Sequence, residues 1–252
     1  MTRSVTAVAT VAIALACVGA PAAVGAPAGG YVVFARCPTH TVGVIGCLYA
    51  PIESGYISLG KTVVPIAKTM VLQGGLFREE EPSIKDLVGA LGGETLTKVG
   101  QTLPGGLFGL PLDAVTELAA PANSISIDDA GGGLSLTLPI KVRLVNPLLG
   151  AECSIGSDSR PIGLSLTTGT TSGGLTGNPG KQEIIDEGGI VFKSGVAMVS
   201  GGFAVPKAGG CGSALVDEAV DAKLGLPSSN NRLVFDLKIE LANSELVEEA
   251  EG

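Results

Sequence analysis

Leu134-Ser135-Leu136-Thr137-Leu138-Pro139-Ile140-Lys141-Val142-Arg143-Leu144-Val145 places an aliphatic side chain at every second position, from Leu134 to Leu144. Successive side chains of a strand point to opposite faces, so these aliphatics line a buried face, while Ser135, Thr137, Lys141 and Arg143 face water. Residues Leu233, Phe235, Leu237, Ile239 and Leu241 repeat the pattern near the other end of the chain. Two one-sided apolar strands must bury their faces against something, and the simplest arrangement sets one such face on another. The reading is an all-β, mainly antiparallel fold, β-sandwich-like, with a β-barrel as the alternative.

Working outward, the 38 glycines punctuate short apolar runs, as turns between strands require. Strands are predicted at 42–49, 55–59, 61–66 and 69–72, with a turn at 51–54, and further strands at 161–167, 183–185, 189–192, 197–199 and 233–241. Pro65 has no N–H to give a central ladder, which puts its strand at an edge or bulge. The alternation lapses between 78 and 120. There Ile84, Leu87, Val88 and Leu91 recur at helical spacing, and Pro111 precedes Leu112, Val115 and Leu118 on a second helical face. This predicts a short helical insertion covering one end of the β domain. Another helix is expected over 213–223, ended by Gly225. The acidic stretch 245–252 reads as a frayed tail.

Arg3 followed by the uncharged apolar run 5–18 has the form of an export leader, shorter than the roughly 20 residues of a spanning helix. Ala26-Pro27-Ala28 is a small-x-small cleavage pattern, so residues 1–28 are predicted to be removed. Cys17 follows Ala14, Leu15 and Ala16, without the leucine that normally opens a lipidation motif. The formal net charge is −8, and losing Arg3 makes it more negative, which argues against nucleic acid as a partner. No later apolar run is long enough to span a bilayer. The expected localisation is extracellular, with a partner outside the cell or in its envelope.

Cys37, Cys47, Cys153 and Cys211 remain after the leader. An even count in an exported chain favours two disulfides. Three connectivities are open; short loop closure and the grouping of strands favour Cys37–Cys47 with Cys153–Cys211. These spacings lack the short C-x-x-C pairs of a zinc site, and His40 is the only histidine. No metal or cofactor is therefore expected, although Asp158 and the pair Asp128-Asp129 sit in loops where hard oxygen ligands for calcium could gather.

Candidate chemistry is sparse. His40, in Cys37-Pro38-Thr39-His40, is the one imidazole that could activate a nucleophile, and no Gly-x-Ser-x-Gly elbow accompanies it. Asp128-Asp129, Asp186-Glu187 and Asp217-Glu218 could supply an acid and base for a carboxylate-dependent hydrolase. Solvated charge explains them as well, and the absence of tryptophan removes the usual sugar-stacking platform. Leu103-Pro104-Gly105-Gly106-Leu107-Phe108-Gly109-Leu110 joins a flexible composition to four large apolar side chains, Leu103, Leu107, Phe108 and Leu110. It would line an apolar-ligand pocket or fold back as a lid. The favoured function is a non-enzymatic binding or structural module; the hydrolase and an apolar-ligand carrier are the alternatives.

The segments Leu59-Gly60-Lys61-Thr62-Val63-Val64-Pro65-Ile66, Leu72-Gln73-Gly74-Gly75, Asn146-Pro147 with Cys153-Ser154-Ile155-Gly156-Ser157, residues 167–171, and Ala222-Lys223-Leu224-Gly225-Leu226-Pro227 resemble those of uncharacterised secreted proteins of actinobacteria. The resemblance covers most of the chain beyond the leader. It implies export and the four-cysteine layout, and it brings no activity and no functional residue.

Overall fold

The computed structural model describes residues 27–79, 84, 86–128, 133–185 and 189–251, apart from the side chains of 127 and 128. All but the last two residues of the expected leader, and Cys17 with them, lie outside this range.

The alternating stretch 134–145 lies in strand β8 (Gly133–Val145), in which Leu136, Leu138, Ile140, Val142 and Leu144 are all buried. Around it the chain forms β1 (Val44–Leu59), β2 (Thr62–Pro65), β3 (Met70–Phe77), β4 (Asp86–Gly89), β5 (Gly100–Thr102), β6 (Asp113–Leu118) and β7 (Asn123–Asp128). After it come β9 (Ser154–Ile155), β10 (Ile162–Thr167), β11 (Lys181–Ile185), β12 (Ile190–Val205), β13 (Ala208–Gly209) and β14 (Ser228–Asn243). Two helices, α1 (Ala214–Leu224) and α2 (Ser244–Ala250), and two 3-10 turns, Gly29–Phe34 and Leu91–Gly93, complete the described elements.

The fold is all-β and antiparallel throughout the described pairings. Strands run β10-β12-β14-β1-β3-β4-β7-β8 in one sheet, and β8 pairs back with β10 from Ile162↔Ile140 to Thr167↔Ser135, closing a ring. Two seams are narrow: β10 meets β12 at Thr167↔Val199, and β4 meets β7 at Asp86↔Asn123. The opposed walls of the ring share one apolar core, where Ile57, Met198, Phe235 and Leu237 join Leu138, Ile140 and Leu164. A second cluster gathers Phe34, Cys37, Val44, Cys47, Ile190, Ala242 and Val247. The bridges are Cys37–Cys47 and Cys153–Cys211, as expected, one in each cluster.

α1 forms where its ends are capped. Ser213 accepts a hydrogen bond from the Val216 N–H, and Gly225 takes the left-handed conformation that stops the helix. Val220 and Leu224 are fully buried, and the Lys61 N–H donates to the Leu224 carbonyl. This docks the helix on the β1–β2 turn. A side chain at Gly60 in that turn would meet the Leu224 carbonyl at 2.3 Å, so only glycine fits there. Pro65 ends β2, which pairs with β1 alone, consistent with an edge.

Four expectations are corrected. The insertion at 78–120 is not helical: its described part carries β4, a 3-10 turn, β5 and β6. Leu87 is buried while Leu91 is half exposed, so the residues spaced as a helical face do not share one. β4 instead takes its place beside β3, from Gly74↔Gly89 to Phe77↔Asp86. β6 pairs along its whole length with β8, and its β-branched Val115 and Thr116 suit that conformation. The turn expected at 51–54 is absent, because β1 runs through it with a register shift between Ile52 and Ser54 that absorbs the bend. The strands predicted at 189–192 and 197–199 are one, β12, again with a shifted register between them. The acidic end is helix α2, capped by Asn243 and anchored by a fully buried Val247.

Candidate functional site

The ring's interior is the first place to look for a ligand. At one end of the lumen Leu48 from β1, Leu76 from β3, Ile125 from β7, Leu134 and Leu136 from β8, and Ile239 and Leu241 from β14 converge around Lys193 of β12. Only 7% of the Lys193 surface is exposed. Burial lowers its pKa from the ordinary lysine value, because an ammonium loses hydration there. The space left among these side chains is about 30 Å³, room for about two water molecules at ~10–15 Å³ each. Among the described residues, this end of the lumen is filled by side chains.

The apolar stretch 103–110 divides in two. Leu103 and Leu107 are buried in the main core, whereas Phe108 is 59% exposed and Leu110 is 37% exposed. A tight turn explains the split: Leu107 and Leu110 exchange backbone hydrogen bonds, and Phe108 between them has a positive φ of 52°. The Leu103 N–H donates to the Leu112 carbonyl, closing the loop onto the sheet. The tip of the loop lies in solvent.

His40 sits in the loop closed by Cys37–Cys47, with Nδ1 3.2 Å from Glu248 Oε1 and Nε2 3.9 Å from Glu251 Oε2. A histidine acting as a general base needs one nitrogen toward a carboxylate and the other toward a nucleophile. Here both nitrogens face carboxylates, and the imidazole ties the Cys37–Cys47 loop to the segment 248–251. Asp217 accepts the Cys211 N–H and Asp221 accepts the Ala208 N–H, so both hold backbone around the second bridge. Glu218 is exposed. Asp158 pairs with Lys141 at 2.8 Å, and that hydrogen bond raises the lysine's pKa. Asp129, Asp186, Glu187 and the side chain of Asp128 lie outside the described residues. Among those described, no three His, Cys, Asp or Glu side chains converge as metal ligands would.

Two concavities lie on the outside, beside the Cys153–Cys211 bridge. β9 pairs with β13 through Ala208↔Ile155 and Gly209↔Ser154, and two recesses of about 630 and 460 Å³ adjoin there. They share Arg160, Pro206 and Pro227; Lys207, Ser154, Ser157 and Glu152 line the larger one. Among the described residues, neither the Arg160 guanidinium nor the Lys207 ammonium has a hydrogen-bond or ion-pair partner. A side chain built at Gly209 would meet nothing within 4 Å, so the missing Cβ leaves part of the groove open.

No family model, curated protein or solved structure matches the chain. What the site can do therefore rests on its own chemistry. The Arg160 and Lys207 cations and the proline walls can hold an anionic group against a partly apolar surface, with Glu152 in the lining opposing excess negative charge. Sequence reading passed over this groove because its residues come from segments 152–161, 204–210 and 227–229, which only the fold unites. The one sequence signal was the cluster of turn residues around Ser157-Asp158-Ser159-Arg160.

Proposed function

We propose that this chain is a secreted, non-enzymatic binding module that takes its ligand on its outer surface, in the groove lined by Arg160 and Lys207. The observation that carries this reading is a recess of about 630 Å³ holding two cations without a partner among the described residues, in a chain whose net charge is −8. Export is supported by the leader-like first residues and by two disulfides, which persist in oxidising compartments. No helix among the described residues is long and apolar enough to cross a membrane.

The carrier alternative is disfavoured by size, since about 30 Å³ is far below the roughly 300–1,000 Å³ of ligand pockets. The hydrolase alternative is weakened because His40 and Asp217 already serve structure. A thermal-shift screen of the protein without residues 1–28 against phosphate, citrate and acidic oligosaccharides tests the proposal, because a ligand that binds the folded state raises its apparent stability. At least one anion should raise Tm in the parent protein and fail to do so in Gly209→Val, which puts a side chain into open groove space. No shift with any anion, or an undiminished shift in Gly209→Val, would overturn the assignment.

A further inference from the structure

Among the described residues, four strands pair on one side only: β2, β5, β11 and β13. β2 buries Val64, β5 buries Gln101 and β13 buries Ala208. β11 differs, because every one of its five residues is exposed, and Ile184 keeps 64% of its surface. Its sole described partner is β12, from Lys181↔Ser194 to Ile185↔Ile190. The other edge of β11 presents unpaired backbone N–H and C=O groups, which form a template for an added strand.

The sequence of β11, Lys181-Gln182-Glu183-Ile184-Ile185, narrows what that added strand is. Charge on an edge strand ordinarily discourages pairing. Here Lys181 and Glu183 stand two residues apart on one face, with opposite signs and Gln182 between them. In an antiparallel pairing about a two-fold axis at Gln182, Lys181 of each copy lies opposite Glu183 of the other, and Gly180 lies opposite Ile184. Both charge pairs are then attractive, and directly opposed unlike charges favour cross-strand pairing. Pro179 has no N–H and ends the ladder beyond Gly180. A one-residue slip in either direction loses the double charge match.

We infer that β11 is a self-association edge: two copies of this chain join through antiparallel β11 strands centred on Gln182, extending the β14-β12-β11 sheet across the contact. The interface is isologous, as two-fold dimers require. Its short ladder makes the association weak and concentration-dependent.

Sedimentation velocity from about 10 μM to about 1 mM, a range suited to such weak contacts, tests this. The mean mass should climb toward twice the monomer. Lys181→Glu and Glu183→Lys should each weaken association by at least about fivefold, since each sets like charges opposite one another. The double variant Lys181→Glu/Glu183→Lys restores opposite signs and should return to within about twofold of the parent. Unchanged far-UV circular dichroism in each variant ensures that a loss reflects the contact and not unfolding. A chain monomeric at every concentration, single variants that associate normally, or a double variant no better than the singles would each overturn the inference.

Discussion

Two neighbouring residues show how burial rather than side-chain type decides what a position contributes. Leu107 and Phe108 are both large and apolar, yet only Leu107 reaches the core. Leu107→Ala should destabilise by about 2–5 kcal/mol through lost burial and a residual cavity. Phe108→Asn should stay within about 0.5 kcal/mol, since the site is exposed and asparagine accepts a positive φ. Urea unfolding of both variants checks this; equal losses would mean that the loop tip is also packed. Lys193 carries a prediction with a sign. A lysine whose folded pKa lies below its unfolded value binds fewer protons when folded, so its cost is present at neutral pH and is relieved as pH rises toward 10.5. The stability of the parent chain relative to Lys193→Met should therefore increase between pH 8 and pH 10.5, the ordinary lysine value. A difference that stays flat over that interval would show that the ammonium remains hydrated.

At the scale of elements, β8, β14 and α1 were legible because each carries its own signal: strict alternation in the strands and a terminal glycine in the helix. β4 and β6 were not, because three or four apolar residues spaced by three and four fit a helix as well as a short strand. The neighbours β3 and β8, distant in sequence, made the choice. Such non-local pairing overrides a weak local preference. α2 was hidden for the opposite reason, since its acidic composition masks the buried Ser244 and Val247 that dock it. If α2 is a packed part of the fold, Val247→Ala should cost about 1–3 kcal/mol. A cost indistinguishable from zero in thermal unfolding would restore the picture of a frayed tail.

For the whole molecule, antiparallel class could be reached from sequence and the observed cysteine pairing was only the favoured one of three, whereas ring closure could not be reached, because it depends on β8 meeting β10 and β4 meeting β7. The groove was equally hidden, being assembled from three distant segments around the second bridge. That bridge spans a sequence separation of 58 residues and the first spans 10. Loop-closure entropy then predicts that Cys153→Ser/Cys211→Ser loses about 4 kcal/mol and Cys37→Ser/Cys47→Ser about 3 kcal/mol. Denaturant titration that found the order reversed would show that native packing, rather than chain entropy, sets their worth. The central claim is that the ring's interior is a filled scaffold and recognition happens outside it. Backbone amide NMR of the protein without residues 1–28, titrated with the best anion from the thermal-shift screen, tests this most directly. Shifts should concentrate at 152–161, 204–210 and 227–229; shifts centred instead on Leu48, Leu136, Lys193 and Ile239 would place the ligand in the lumen and contradict it.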